Sequence, residues 1–272
     1  MGRRRIHATP AEKQAAWRHN QAQKLLSQIP QVHEGGYSLY AGDACTIVPL
    51  LGPFDHCITD PPYEPDAHTR MRRTRATLEG RAPYAPVDFA PITERQRRLL
   101  AGLRCQWLLV FCQAEAIARF QALLGPKYKR PLLWVKPDST PQFSGDRPAM
   151  GYESLIAAWC QPGRSQWQAG GKRGVYVHGI HDGEPRLHPT QKPLPLMREL
   201  LRDFTTPGQV ILDPFMGSGT TGAACLAEQR RFVGIERDPA TFAQACDRLA
   251  AAARQGPLFP TRAPASQPPL WA

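Results

Sequence analysis

The chain has 272 residues, with 34 Lys and Arg against 23 Asp and Glu, and a net charge of +11. This length accommodates one α/β domain with embellishments and a substantial core. The basic balance suits a polyanion partner, and no apolar run approaches membrane-spanning length, which argues against a membrane protein. Seven cysteines (Cys45, Cys57, Cys105, Cys112, Cys160, Cys225 and Cys246) are scattered, odd in number and never in C-x-x-C, so neither zinc nor a disulfide framework is expected. His178 and His181 have H-x-x-H spacing, but in a Gly-rich stretch that reads as loop, and no metal is expected there.

In chain order, residues 1–30 read as a basic arm, Arg3-Arg4-Arg5, followed by a helix over Ala11 to Ile29. No apolar run follows the basic start, so no signal peptide is expected, and the setting is read as cytoplasmic. Residues 31–254 read as the main domain. Within it, Phe54 to Thr59 predicts a short strand that ends in Asp60-Pro61-Pro62-Tyr63. Arg70, Arg72, Arg73, Arg75 and Arg81 follow at once, where a strand of nucleic acid would run. Arg95, Arg97, Arg98 and Arg104 read either as a second basic set or as the polar face of a helix that leads into a strand at Trp107–Phe111. Residues 64–94 and 161–187 lack a clear strand or helix pattern. The second segment mixes Arg164, Gln166, Trp167, Lys172 and Arg173 with glycines; it reads equally as base readout or as phosphate contact. From about residue 255 to 272 the chain is rich in Pro, Ala and Ser and reads as a disordered tail.

Two motifs carry the chemistry. In Asp60-Pro61-Pro62-Tyr63 the prolines fix the backbone and leave the Pro61 carbonyl able to accept. The Asp60 carboxylate and that carbonyl can take the two hydrogens of an exocyclic amino group, and Tyr63 offers a stacking face. An ordinary Asx-Pro turn would explain the first three residues but not the tyrosine. The second motif is Asp213-Pro214-Phe215-Met216-Gly217-Ser218-Gly219-Thr220-Thr221, between an apolar run at 209–212 and a helix from Thr220 to Gln229. A second apolar run, 231–235, ends at Glu236, an acid placed to accept from ribose hydroxyls. The spacing Gly217, Gly219, Gly222 also satisfies the dinucleotide fingerprint, which keeps a nicotinamide-dependent oxidoreductase in view. Asp213 speaks for a cationic cofactor instead, because it would repel a pyrophosphate. S-adenosylmethionine, with its sulfonium and ammonium, meets that condition.

These two motifs resemble those of the amino-methylating DNA methyltransferases (adenine N6 and cytosine N4), in the β-class order with the Asp60 motif first. Tyr37 to Ala44, Leu132 to Pro137, Tyr152 to Ile156 and His188-Pro189-Thr190-Gln191-Lys192-Pro193 resemble further segments of that family. The resemblance implies a Rossmann-like α/β fold: a mostly parallel, seven-stranded sheet of the class I methyltransferase type, circularly permuted. It implies that Asp60, Pro61, Pro62 and Tyr63 hold a flipped base. Asp213, Pro214, Phe215, Gly217, Ser218, Gly219 and Thr220 would line S-adenosylmethionine, with Glu236 on its ribose, Asp43 near its adenine, and Thr190 and Lys192 near its methionine carboxylate. Double-stranded DNA is the implied partner, contacted by Arg70, Arg72, Arg73, Arg75, Arg164, Lys172 and Arg173. A homodimer is common in the class but has no residue-level support here. Asp60 at the head of its motif leans toward adenine N6. Cytosine N4, an RNA substrate and a catalytically silent DNA binder stay open.

Overall fold

The computed structural model describes residues 9–63, 90–139, 148–182 and 191–255. Their centre is one sheet of nine strands: β1 (Gln31–Glu34), β2 (Tyr37–Ala41), β3 (His56–Thr59), β4 (Trp107–Cys112), β5 (Tyr128–Val135), β6 (Tyr152–Trp159), β7 (Val175–Val177), β8 (Val210–Asp213) and β9 (Arg231–Glu236). Their order across the sheet is β1-β2-β9-β8-β3-β4-β6-β5-β7. The pairs from β2 through β9, β8 and β3 to β4 are all parallel. β6 is antiparallel to both of its neighbours.

The count is nine rather than the expected seven because each edge carries a short extra strand. On one side, Gly35 and Gly36 take φ of 46° and 96° and fold β1 back on β2 as a tight hairpin. On the other, the three-residue β7 pairs with β5, inside the stretch 161–187 whose glycines hide any strand pattern in the sequence.

The helices are α1 (Pro10–Leu26), α2 (Ala44–Ile47), α3 (Glu94–Gly102), α4 (Ile117–Leu124), α5 (Leu194–Phe204), α6 (Thr220–Ala227) and α7 (Pro239–Gln255). β4 shows how they cover the sheet. Trp107, Leu109 and Phe111 point into a core with Leu200, Phe204, Cys225 and Leu249 from α5, α6 and α7. Leu108, Val110 and Cys112 point into the opposite core with Leu26, Ile47, Leu100 and Phe120 from α1 to α4. A strand buried on both faces must be apolar throughout, which is why Trp107–Cys112 reads as an uninterrupted run. Arg97, read as one residue of a polar helix face, is instead buried in α3 and paired with Glu94 at 3.4 Å.

The chain leaves β3 through α3 to reach β4 on one side, and leaves β8 through α6 to reach β9 on the other. β3 and β8 lie side by side between these diverging crossovers. In open α/β sheets, ligands bind beyond the carboxyl ends of strands at such a divergence. Asp60 directly follows β3, and Asp213 is the last residue of β8.

Candidate functional site

The residues after β3 form a charged cluster. Lys192, 7% exposed at its side chain, donates from Nζ to Asp60 Oδ2 at 2.6 Å and to the Tyr63 hydroxyl at 3.1 Å. It also lies 3.1 Å from Glu153 Oε2. Tyr63 donates its proton to Glu153 Oε2 at 2.8 Å. Lys136, just past β5, pairs with Glu153 Oε1. The Lys192 ammonium sits 4.9 Å from the Phe111 ring centroid and 5.4 Å from that of Tyr63, so two aromatic rings add to its stabilisation.

Burial opposes the Glu153 charge, but the two ammonium groups outweigh it and hold its carboxyl down at about 2. Burial likewise opposes the Lys192 charge, and the carboxylates of Asp60 and Glu153 overcome it and lift its pKa. Asp60 is lifted above its ordinary value by burial, with Lys192 opposing and Glu153 adding to the lift. Burial and both carboxylates keep Tyr63 protonated. One atom of the cluster stands apart: Asp60 Oδ1 is buried and has no hydrogen-bond partner among the described residues. A buried acceptor left unmatched costs about 1–3 kcal/mol, which makes Oδ1 a candidate acceptor for a donor outside the described residues.

Beyond β8 the second motif is organised differently. Asp213 Oδ1 accepts from Thr59 Oγ1 at 2.7 Å and from the Phe215 N–H at 3.1 Å. Its Oδ2 accepts from Thr221 Oγ1 at 2.7 Å. Both oxygens are therefore engaged by neutral donors that tie β3, the loop and α6 together, and burial lifts the carboxyl to about 6. Pro214, Ser218 and Gly219 are buried as well. Thr220 is turned inward, where its hydroxyl accepts from Arg248 of α7 at 2.8 Å. Gly219 takes φ of 81°, and a Cβ there would meet Leu249 at 2.6 Å, so both its backbone and its packing exclude a side chain.

Phe215 and Gly217 remain partly exposed on this loop. Beside them is Glu236, also partly exposed, whose Oε2 accepts from the Gly217 N–H at 3.1 Å and whose Oε1 accepts from the Asp238 N–H at 2.8 Å. A Cβ on Gly217 would meet only open space. Asp43 follows β2, whose Ala41 is in register with Glu236, and the Gly42 N–H donates to the Glu236 carbonyl at 2.9 Å. Asp43, Phe215, Gly217 and Glu236 thus form one lip at the carboxyl ends of β2, β9 and β8. An open backbone cradle flanked by an aromatic face and two carboxylates fits a nucleoside bearing a cationic substituent.

The structure gathers Asp60, Pro61, Pro62, Tyr63, Lys192, Asp213 and the lip at one end of the sheet. Lys192, expected beside a cofactor carboxylate, faces Asp60. Two expected DNA-contacting residues are placed elsewhere. Lys172 is committed to α5, pairing with Glu199 at 2.7 Å and with Asp203. Arg164 lies at the opposite end of the sheet. The Gln106 N–H donates to the Asp55 carbonyl at 2.6 Å and the Cys160 N–H to the Gln106 carbonyl at 2.8 Å, so the segment carrying Arg164 leaves at the amino ends of β3 and β4. There Arg164 lines a cleft with Asp55, Arg104, Gln161 and Gln166, separated from Asp60 by roughly 13 Å of strand. Arg173 is exposed at the start of β7. Thr190, Arg70, Arg72, Arg73 and Arg75 lie outside the described residues, as do most of 64–94 and the tail after residue 255.

Sequence reasoning missed Glu153 and Lys136 as site residues, and Thr59 and Thr221 as the donors that fix Asp213. A signal for the first two exists. Both are charged residues at the ends of apolar strands, and the pairing of β5 with β6 brings those ends together.

Residues 157–247 match the family model for N6/N4 DNA methylases. The type II methyltransferase M.XycI of Xanthomonas campestris pv. cyanopsidis is 36% identical over 195 residues, 68% of this chain and 62% of that protein. M.Cfr9I of Citrobacter freundii is 33% identical over the same shares. Over the matched residues the chain is similar to the N6/N4 DNA methylases. It spans 62% of the length of these two curated relatives. The crystal structure of an M1.HpyAVI–SAM complex superposes with a TM-score of 0.53 at 28% identity, covering 78% of this chain and 99% of that one. The chain thus has the α/β fold of class I methyltransferases, with the described site at the end of its sheet where β3 and β8 meet.

Proposed function

We propose that this chain transfers a methyl group from S-adenosylmethionine to an exocyclic amino group of a base in double-stranded DNA. The observation that carries this reading is the buried Oδ1 of Asp60, unpartnered among the described residues, at the divergence of β3 and β8. Asp43, Phe215, Gly217 and Glu236 would hold the cofactor, Glu236 by accepting from ribose hydroxyls. S-adenosylmethionine supplies an activated methyl whose carbon–sulfur bond breaks, with the electron pair staying on sulfur, as the nitrogen–carbon bond forms.

The rest of the work falls to the chain. A base must leave the duplex to reach Asp60, which costs a few kcal/mol. Its amino nitrogen is a poor nucleophile because the lone pair is delocalised into the ring. Accepting one amino hydrogen at Asp60 Oδ1 and the other at the Pro61 carbonyl draws the nitrogen toward tetrahedral geometry. It also stabilises the positive charge that develops there. The extra proton is lost to water after transfer, so Asp60 need not act as a strong base. Tyr63 stacks on the base while its hydroxyl stays bound to Glu153. Adenine N6 is the preferred target because an aspartate heads the motif. The match of residues 157–247 to the family model supports amino methylation of DNA without choosing between adenine and cytosine.

Nucleoside mass spectrometry of unmethylated DNA incubated with the protein and S-adenosylmethionine tests this reading. N6-methyladenine that vanishes in Asp60→Ala is the expected result. N4-methylcytosine would keep the mechanism and overturn the choice of base. No methylated base on any duplex would overturn the reading. We further propose that residues 31–254 act as the methyltransferase domain, with 64–94 as the main DNA-contacting insertion, and that the enzyme works in the cytoplasm. Assembly as a homodimer is a matter for sedimentation of the purified protein.

A further inference from the structure

Behind the Asp60 carboxylate lies a set of charges that the motif itself does not supply. Lys192 has three N–H donors, and three oxygens surround it: Asp60 Oδ2, the Tyr63 hydroxyl and Glu153 Oε2. With Oδ2 taken, the atom of Asp60 without a partner among the described residues is Oδ1. Glu153 holds this arrangement from the far side. One of its oxygens takes Tyr63 and faces Lys192, and the other takes Lys136. The groups facing Glu153 are thus Asp60 and Tyr63 from the segment after β3, Lys136 from the end of β5, and Lys192 from the segment before α5. Phe111 of β4 supplies an apolar wall. Two ammonium groups and two carboxylates meet here, so the cluster is formally neutral.

We propose that Glu153 is a positioning residue for methyl transfer: it neutralises and fixes Lys192, so that Lys192 orients Asp60 without consuming the negative charge that the reacting amino group needs. This inference rests on the reading of the site as an amino methyltransferase. The charge that develops during transfer is positive and sits beside Asp60. An ammonium with no counter-ion of its own, 2.6 Å from that carboxylate, would oppose it. Glu153 removes that opposition and leaves Lys192 its geometric task of occupying Oδ2. The role differs from that of Asp60, because Glu153 acts only through Lys192 and Tyr63.

The test uses the full chain, a duplex substrate of the wild-type enzyme and saturating S-adenosylmethionine. Glu153→Gln keeps the shape and an acceptor for Tyr63 but leaves the cluster with one excess positive charge. We expect kcat to fall about 10²-fold, within the range seen when one preorganised electrostatic partner is removed. S-adenosylmethionine affinity, read by calorimetry, should stay within a few-fold and show that the fold is kept. The double variant Glu153→Gln/Lys136→Met returns the cluster to formal neutrality and should recover at least tenfold of the lost kcat. Wild-type kcat in Glu153→Gln overturns the proposal. So does a double variant that is as slow as the single one or slower, since a merely structural role is worsened by a second change. A single variant that fails to fold while the folded double variant turns over near the wild-type rate supports it. Absence of methyl transfer by the wild type on any duplex overturns the underlying reading and the proposal with it; the wild-type control separates that outcome from failure of the proposal alone.

Discussion

Asp60 and Asp213 lie at the carboxyl ends of neighbouring strands at the same end of the sheet, yet the structure uses them in opposite ways. Asp60 is matched by a charge, Lys192, and keeps one buried oxygen without a partner among the described residues. Asp213 is matched by two hydroxyls and one backbone N–H, which use both of its oxygens. A carboxylate with an unfilled acceptor is prepared for a ligand, whereas one saturated by its own chain is part of the frame. The sequence presents both as acids heading proline-containing turns. Only the neighbours distinguish them.

The sharpest way to break this contrast is to truncate both acids. Asp60→Ala should lower kcat by about 10²–10³-fold. Its melting temperature and its S-adenosylmethionine affinity should stay close to wild type. Asp213→Ala should do the reverse. It strands Thr59, Thr221 and the Phe215 N–H, and loss of a buried network of that kind costs about 2–4 kcal/mol, read from denaturant titration. If Asp60→Ala proves the more destabilised of the two, the division into ligand site and frame is wrong.

The same contrast fixes the sign of the pH dependence. Asp213 has its folded pKa raised from 3.8 to about 6, so the folded state binds that proton more tightly than the unfolded chain. Its contribution is fully present below about pH 4 and is lost as pH rises through about 6. Asp60 and Glu236 are raised too and act in the same sense. Glu153 is depressed from 4.5 to about 2, so its contribution is present above about 4.5 and is lost as pH falls through about 2. Asp213→Asn should therefore flatten part of the decline in stability between pH 4 and 6 and leave the acid limb in place. A stability profile unchanged over that interval would contradict the burial assigned to Asp213.

Glu236 stands between these extremes. It accepts from two backbone N–H groups of its own chain and remains partly exposed. Glu236→Ala should weaken S-adenosylmethionine about 10–100-fold, the scale of lost hydrogen bonds to a charged group. It should leave kcat at saturation within a few-fold of wild type. A large loss of kcat with unchanged affinity would move Glu236 from the cofactor lip to the chemistry.

Why some of this was legible in the sequence and some was not follows from how local each feature is. Short apolar runs ending in Asp-Pro turns specify β3 and β8, and the apolar run ending at Glu236 specifies β9, so all three can be read within two residues. The hairpin partner β1 and the edge strand β7 are too short and too polar or glycine-flanked to leave a periodic signal. The partners of Lys192 are invisible for another reason: Asp60 lies 132 residues away and Glu153 on a third segment, so only the sheet order brings the cluster together. A lysine beside a cofactor-related motif invites a carboxylate partner, and the sequence cannot say which carboxylate.

The smallest expected effect tests that same lesson on the basic residues. Lys172 and Arg164 both sit in the glycine-rich segment that reads as a nucleic-acid contact. In the structure Lys172 serves two acids of α5, and Asp203 also accepts from the Tyr176 hydroxyl at 2.9 Å. Burial lowers the pKa of Lys172, but these acids more than offset it and lift the pKa overall. Lys172→Ala should cost no more than about 1 kcal/mol, because a partly exposed pair gains little over water. It should leave the salt dependence of DNA binding unchanged, whereas removing a true phosphate contact lowers the slope of log K against log salt by about one unit. Arg164→Ala should also leave the slope unchanged, since its cleft opens at the amino ends of β3 and β4. A reduced slope in Arg164→Ala alone would mean that DNA reaches around the sheet to its far end. A reduced slope in Lys172→Ala would mean that the α5 ion pairs exchange for phosphate on binding. The two variants together thus measure how far the DNA footprint extends from Asp60.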